Sequence, residues 1–162
     1  MRETRPIFGE FPRFDAGAYT FIADYLPRAS GDGMEHRNST IVTSSAPLRT
    51  ELVAALGTMS HEFFHVWNVE RVRPRSLEPF NLTGPNPSGE LWLAEGFTQY
   101  YGSLVLARAG LISASAFAAE MSTLVGRVLA SPATRVRTLE DMSRFAVIID
   151  SVNAVVPVNV ND

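Results

Sequence analysis

Residues 61 to 65 read His-Glu-Phe-Phe-His, and on a helix that pentapeptide assembles most of a hydrolytic zinc site. At about 100° per residue, His61 and His65 fall one turn apart on one face. Two imidazoles so placed can close on one Zn²⁺ at roughly 2.0–2.1 Å, with Glu62 pointing along the same side. Zinc lowers the pKa of a water it holds from about 15.7 to near 7, so a neighbouring carboxylate can take that proton and release a nucleophile at neutral pH.

A hydrolytic zinc takes three protein ligands. The remaining histidine, His36, lies far upstream on an expected strand, and the chain has no cysteine, so the third ligand is expected to be a carboxylate. A metzincin would need glycine and histidine three and six residues after His65; Asn68 and Arg71 stand there and exclude that class. The candidates are Glu70, Glu78, Glu90 and Glu95. Glu70 and Glu78 fall on or just beyond the end of the motif helix, and Glu90 suits a helix start. Glu95 is preferred: it lies within a helix among Leu91, Trp92, Leu93 and Phe97, and a carboxylate in apolar company needs a partner charge. The plainer alternative for Glu95 is an ion pair with an arginine.

The elements that must carry these groups can be read from pattern. Residues 1–18, broken by Pro6, Gly9, Pro12 and Gly17, suit an irregular lead-in. Tyr19 to Leu26 is aromatic and β-branched and predicts a strand, Pro27 to Gly33 a turn-rich connection, and Glu35 to Thr43 a second strand. The motif helix is expected from Leu48 to about Asn68, capped by Ser44 or Ser45 with Pro47 in its first turn. Its Leu52, Leu56, Met59 and Phe63 form a stripe opposite His61, so one side should meet the core and the other a cleft. Four prolines make Val69 to Gly89 a long ordered loop. Further helices are expected from Glu90 to Ala109 with a stop at Gly110, from Ala114 to Leu129 with Ser113 as cap, and from a Thr138/Asp141 start. The Val/Asn-rich tail beyond Asp150 shows no pattern.

Composition narrows the class. A chain of 162 residues with 46% hydrophobic content suffices for one packed domain, taken here as residues 1–162. The net charge of −3, with no basic block, gives no sign of nucleic acid or an anionic membrane as partner. All 14 basic residues are arginine, read as compositional bias more readily than as anion binding. No stretch reaches the ~18 apolar residues of a membrane span, and the N-terminus lacks an apolar signal core. The chain therefore reads as soluble, with its compartment open.

The segment HEFFHVWNVERVRPRSLEPF followed by LWLAEGFTQYY resembles the glycyl aminopeptidase family of zinc peptidases, within the gluzincin group. The Trp-x-x-Glu-Gly-x-Thr-x-Tyr-Tyr context at Trp92 to Tyr101 carries much of the likeness, which extends from about Ile7 to Thr138. It implies an α+β, thermolysin-like catalytic domain fragment: short antiparallel strands, then a mainly helical part. It also implies one Zn²⁺ on His61, His65 and Glu95, with Glu62 as general base. Gly33-Met34-Glu35-His36 is similar to the family's upstream strand motif. That similarity implies that Glu35 holds the substrate's α-amino group and that strand backbone near Gly33 and Met34 pairs with the peptide. Family members carry an upstream β-rich domain, a longer catalytic domain and a PDZ domain, so the parent is expected to carry them too. The tyrosine that donates to the oxyanion in the wider group is expected beyond Asp162, and Asn81 stands where the resemblance implies an acidic residue.

The leading expectation is thus a zinc aminopeptidase fragment, which in isolation could hydrolyse poorly. An endopeptidase sharing the site is the nearest variant, and a non-catalytic, zinc-stabilised peptide-binding or scaffold module is the alternative from another class. Helical rotation turns Tyr100 and Tyr101 away from the Glu95 face and assigns them packing, while Thr98 and Gln99 share that face. Arg71 and Arg73 can brace the loop or remain solvated. A strand histidine satisfied by its neighbours is the simpler reading of His36, and a solvated strand residue the simpler reading of Glu35.

Overall fold

A computed structural model describes residues 1–28 and 32–147. Part of the expected Pro27 to Gly33 connection and the Val/Asn-rich tail lie outside the described residues. Three strands, β1 (Thr20–Tyr25), β2 (Asp32–His36) and β3 (Ser39–Ser44), form a sheet in the order β1-β3-β2. The helices are α1 (Arg5–Phe8), α2 (Leu48–Phe64), α3 (Leu91–Arg108), α4 (Ala114–Ala130) and α5 (Leu139–Phe145). The architecture is α+β: the short α1, then the three strands, then the longer helices.

Several elements depart from the sequence expectation. Residues 1–18 are not wholly irregular: Pro6 sits in the first turn of α1, where a missing N–H costs nothing, and Gly9 ends it at φ 84°. The single strand expected from Glu35 to Thr43 is a hairpin turning at Arg37 and Asn38. Asp15 makes that turn possible. Its carboxylate accepts from Arg37 Nε (2.9 Å) and Asn38 Nδ2 (3.0 Å), and its own N–H donates to Asn38 Oδ1 (3.1 Å). The Arg37 and Asn38 hydrogen bonds hold the Asp15 carboxyl down at about 2. The hairpin is antiparallel as expected, but β1 pairs with β3 in parallel. β1 and β2 thus flank β3 and run in opposite directions.

The chain forms two compact units, Met1–Val72 with Thr98–Phe117, and Arg73–Phe97 with Ala118–Asp162. In the first, Val42, Phe63, Phe64, Val66, Val105 and Leu106 are buried. Aromatic rings extend this core: Phe64 lies 4.9 Å from Phe8 and stacks on Tyr101 at 5.1 Å, and Tyr19 meets Phe63 edge-on at 5.1 Å. Of the expected apolar stripe, Phe63 is buried, and Leu56 and Met59 line an apolar cavity of ≈ 420 Å³. Leu52 stays half exposed just after Glu51, where φ −120° and ψ 30° break the regular helix.

In the second unit the proline-rich loop contains only a single 3-10 turn, Arg75–Leu77, whose Leu77 is buried. Arg73 pairs with Glu78 at 3.1 Å and lies over the Phe80 ring. Ser143 Oγ accepts from the Trp92 N–H (2.9 Å) and so satisfies one of α3's first amides. The predicted start of α5 is a capping box: Thr138 Oγ1 accepts from Asp141 N–H, and the Asp141 carboxylate accepts from Thr138 N–H. Ser113 Oγ likewise accepts from Ala116 N–H at the head of α4.

Candidate metal centre

The motif lies in the last turn of α2. The helix ends at Phe64, four residues short of expectation, with His65 as its C-cap still in helical geometry (φ −60°, ψ −18°) and its N–H on the His61 carbonyl. The one-turn spacing of the two imidazoles therefore survives. Their Nε2 atoms lie 3.1 Å apart, close to the roughly 3.3 Å that two nitrogens take on a tetrahedral zinc at about 2.05 Å. His65 Nδ1 is 2.7 Å from the Asn68 carbonyl. A carbonyl only accepts, so Nδ1 carries the proton and Nε2 keeps its lone pair for the metal.

Beyond His65 the chain tightens into a turn that Arg71 braces. Its Nη1 donates to the Val66 carbonyl (2.6 Å) and its Nη2 to the Arg13 carbonyl (2.6 Å). Arg71 thus has a structural task, fixing the segment that presents the Asn68 carbonyl.

Glu62 is buried at 6% exposure, and β2 shapes the space around it. Side chains alternate along a strand; Gly33 and Glu35 pair with Val42 and Thr40, both buried, so they face α2. A Cβ on Gly33 would stand 2.5 Å from Glu62 Cδ and 2.6 Å from its Cγ. Glycine is therefore required at 33 for the Glu62 carboxylate to lie where it does. Donor atoms of Glu35, Glu62 and His65 gather within 4.8 Å. Met34 projects to the opposite face at 60% exposure, so any part it takes in binding a peptide is through its backbone. In a zinc hydrolase with Glu62 as its base, Gly33→Ala is expected to displace the Glu62 carboxylate and lower turnover about 10²-fold, the usual consequence of an ångström-scale misplacement, with zinc affinity unchanged. Parallel measurement of kcat and zinc affinity checks this.

On α3, Glu95, Thr98 and Gly102 share one face by helical spacing. Gly102 lies so close to His61 that an added Cβ would be 3.2 Å from His61 Cα and N, and Ser60 Oγ donates to its carbonyl at 2.8 Å. Thr98 is fully buried, accepts from Asn68 Nδ2 at 3.1 Å and stands 3.5 Å from His65 Nδ1. Glu95 stands one turn before Thr98 on the same helix, in the second unit. The apolar company expected for Glu95 is not found: the residue is exposed, as are Trp92 and Phe97.

Among the described residues Glu70, Glu78 and Glu90 join no cluster of metal-donor atoms. Glu78 pairs with Arg73, and Glu90 accepts from Ser76 (2.9 Å) and Ser88 (2.7 Å), hydrogen bonds that lower its pKa. His36 is exposed on the outer face of β2. Tyr101 packs as expected, while Tyr100 stays 43% exposed against Tyr101 and Phe117. Tyr19 was not singled out by the sequence, which marks it only as a strand aromatic. Its hydroxyl is buried with no hydrogen-bond partner, and its pKa is pushed up by burial, then by the charges of Glu62, Glu35 and Glu70.

A family model described as M61 glycyl aminopeptidase matches residues 54–156. The chain is similar in fold to the crystal structure of an aminopeptidase N family protein from Idiomarina loihiensis, with a TM-score of 0.75 and 23% sequence identity. That similarity covers 89% of this chain and 25% of the other, so the present chain spans about a quarter of its length. No curated protein matches, and no described helix is long and apolar enough to cross a membrane.

Proposed function

The chain belongs to the M61 glycyl aminopeptidase family, and from that premise we propose that it hydrolyses peptides from the amino end at one zinc centre held by His61, His65 and Glu95. The observation that carries the reading is the pair of Nε2 atoms at 3.1 Å; Glu95 enters as third ligand on the likeness of its Trp-x-x-Glu-Gly context to the family's. Two nitrogens and one carboxylate suit a zinc that keeps a position open for chemistry. Zinc bound there supplies Lewis-acid polarisation of the scissile carbonyl and acidifies water.

The chain's own groups do the rest. Glu62, held against Gly33, takes a proton on its carboxylate and returns it to the leaving amine. Glu35, half-buried on the same face of β2, offers a negative charge to an α-ammonium group. The open edge of β2, opposite β3, offers backbone groups to an extended peptide.

Turnover of glycyl and alanyl anilides, each with a free and an acetylated amine, tests this. A charge-assisted hydrogen bond contributes about 1.5–3 kcal/mol, so acetylation is expected to lower kcat/KM about 10- to 100-fold. Equal rates would replace the aminopeptidase reading with an endopeptidase. Bound zinc without turnover of either substrate would leave a peptide-binding scaffold.

A further inference from the structure

The fully buried hydroxyl of Thr98 ends a chain of polar contacts that begins at a proposed zinc ligand. His65 Nδ1–H donates to the Asn68 carbonyl at 2.7 Å, and Asn68 Nδ2 donates to Thr98 Oγ1 at 3.1 Å. The three residues are 2%, 9% and 0% exposed. Asn68 is therefore held at two points, by its carbonyl on the imidazole and by its amide on α3. We infer that Thr98 is a positioning residue for the metal centre, acting through Asn68 to hold the His65 ring in its Nδ1–H tautomer and orientation.

The argument is one of rotational freedom and desolvation. The Asn68 carbonyl belongs to the turn after α2, and a turn carbonyl can reorient by a small peptide rotation. Anchoring the Asn68 side chain to an α3 hydroxyl opposes that rotation, because breaking the anchor costs a buried amide one of its hydrogen bonds. If the carbonyl drifts, the Nδ1 proton loses its acceptor, and the tautomer that directs a lone pair from Nε2 is no longer enforced. Thr98 also lies one turn after Glu95.

This inference rests on the reading of His65 as a metal ligand, and its test separates the two. Thr98→Val removes the hydroxyl with little change of volume, Thr98→Ser retains it, and Asn68→Ala removes the same hydrogen bond from its other end. Two readouts apply to each: ring ¹⁵N resonances of His65 in metal-free protein, and zinc affinity by competition with a chromophoric chelator. In Thr98→Val and Asn68→Ala the His65 ring is expected to show mixed tautomers and zinc affinity to fall about ten- to a hundredfold, the usual effect of removing such support. Thr98→Ser should stay within a few-fold of the parent. Unchanged ring resonances and affinity in folded Thr98→Val overturn the inference. Should that variant not fold, Asn68→Ala decides on the same readouts, a parent-like result overturning it. If the parent binds no zinc while the tautomer still responds to Thr98→Val, the ligand reading fails and the positioning role stands.

Discussion

Glu62→Gln is expected to lower kcat by about 10²- to 10⁴-fold, the contribution of a positioned general base, while the protein still binds one equivalent of zinc. The substitution nearly conserves shape, so the side chain can keep its place against Gly33. What it loses is basicity: an amide oxygen accepts a hydrogen bond but does not hold the transferred proton. Because Glu62 is not one of the three proposed ligands, metal content should not change. Atomic absorption on the same sample used for turnover of a glycyl anilide separates loss of the base from loss of the metal. A variant that retains kcat within tenfold of the parent would remove Glu62 from the chemistry. Comparison with Gly33→Ala adds resolution, since there the carboxylate is retained and only its position changes.

The parts of this site that could be read from sequence are those that depend on spacing along one element. His61 and His65 are neighbours because a helix has a fixed period, and Gly110 at φ 70° and the Thr138–Asp141 capping box end and start helices by local chemistry. The hairpin at Arg37 and Asn38 escaped because its support, Asp15, lies more than twenty residues away and has no local signature. The parallel pairing of β1 with β3 is likewise set by which strand occupies the centre of the sheet, not by any pattern within the strands. The apolar company expected for Glu95 failed because apolar neighbours in sequence point around a helix in several directions, and here Trp92 and Phe97 remain substantially exposed. At Asn68 the group that meets His65 is a backbone carbonyl, which every residue possesses. Only the fold shows which carbonyl is aimed at the ring. Gly33 has the opposite character: the resemblance marked the position, and the Glu62 carboxylate against its Cα supplies the physical reason.

His65→Ala should abolish metal-dependent turnover at stoichiometric zinc, through loss of the metal itself. Zinc sites built from four donors bind with about 10–16 kcal/mol at pH 7; shared evenly, one donor is worth roughly 2.5–4 kcal/mol, or about 10²- to 10³-fold in affinity. His65 should lie at the upper end of that range. It is 2% exposed, its Nε2 is aimed at that of His61, and its Nδ1 proton satisfies the Asn68 carbonyl. Alanine removes the ligand and also leaves that carbonyl without this donor, at a cost of about 1–3 kcal/mol. A fall in thermal stability should therefore accompany the loss of zinc, even when parent and variant are compared without metal. Stripping zinc from the parent with a chelator supplies the control: turnover should vanish and return on adding zinc, with the Asn68 contact intact throughout. The variant should not recover at zinc concentrations that restore the parent, and zinc affinity within tenfold of the parent would show that His65 is not a ligand.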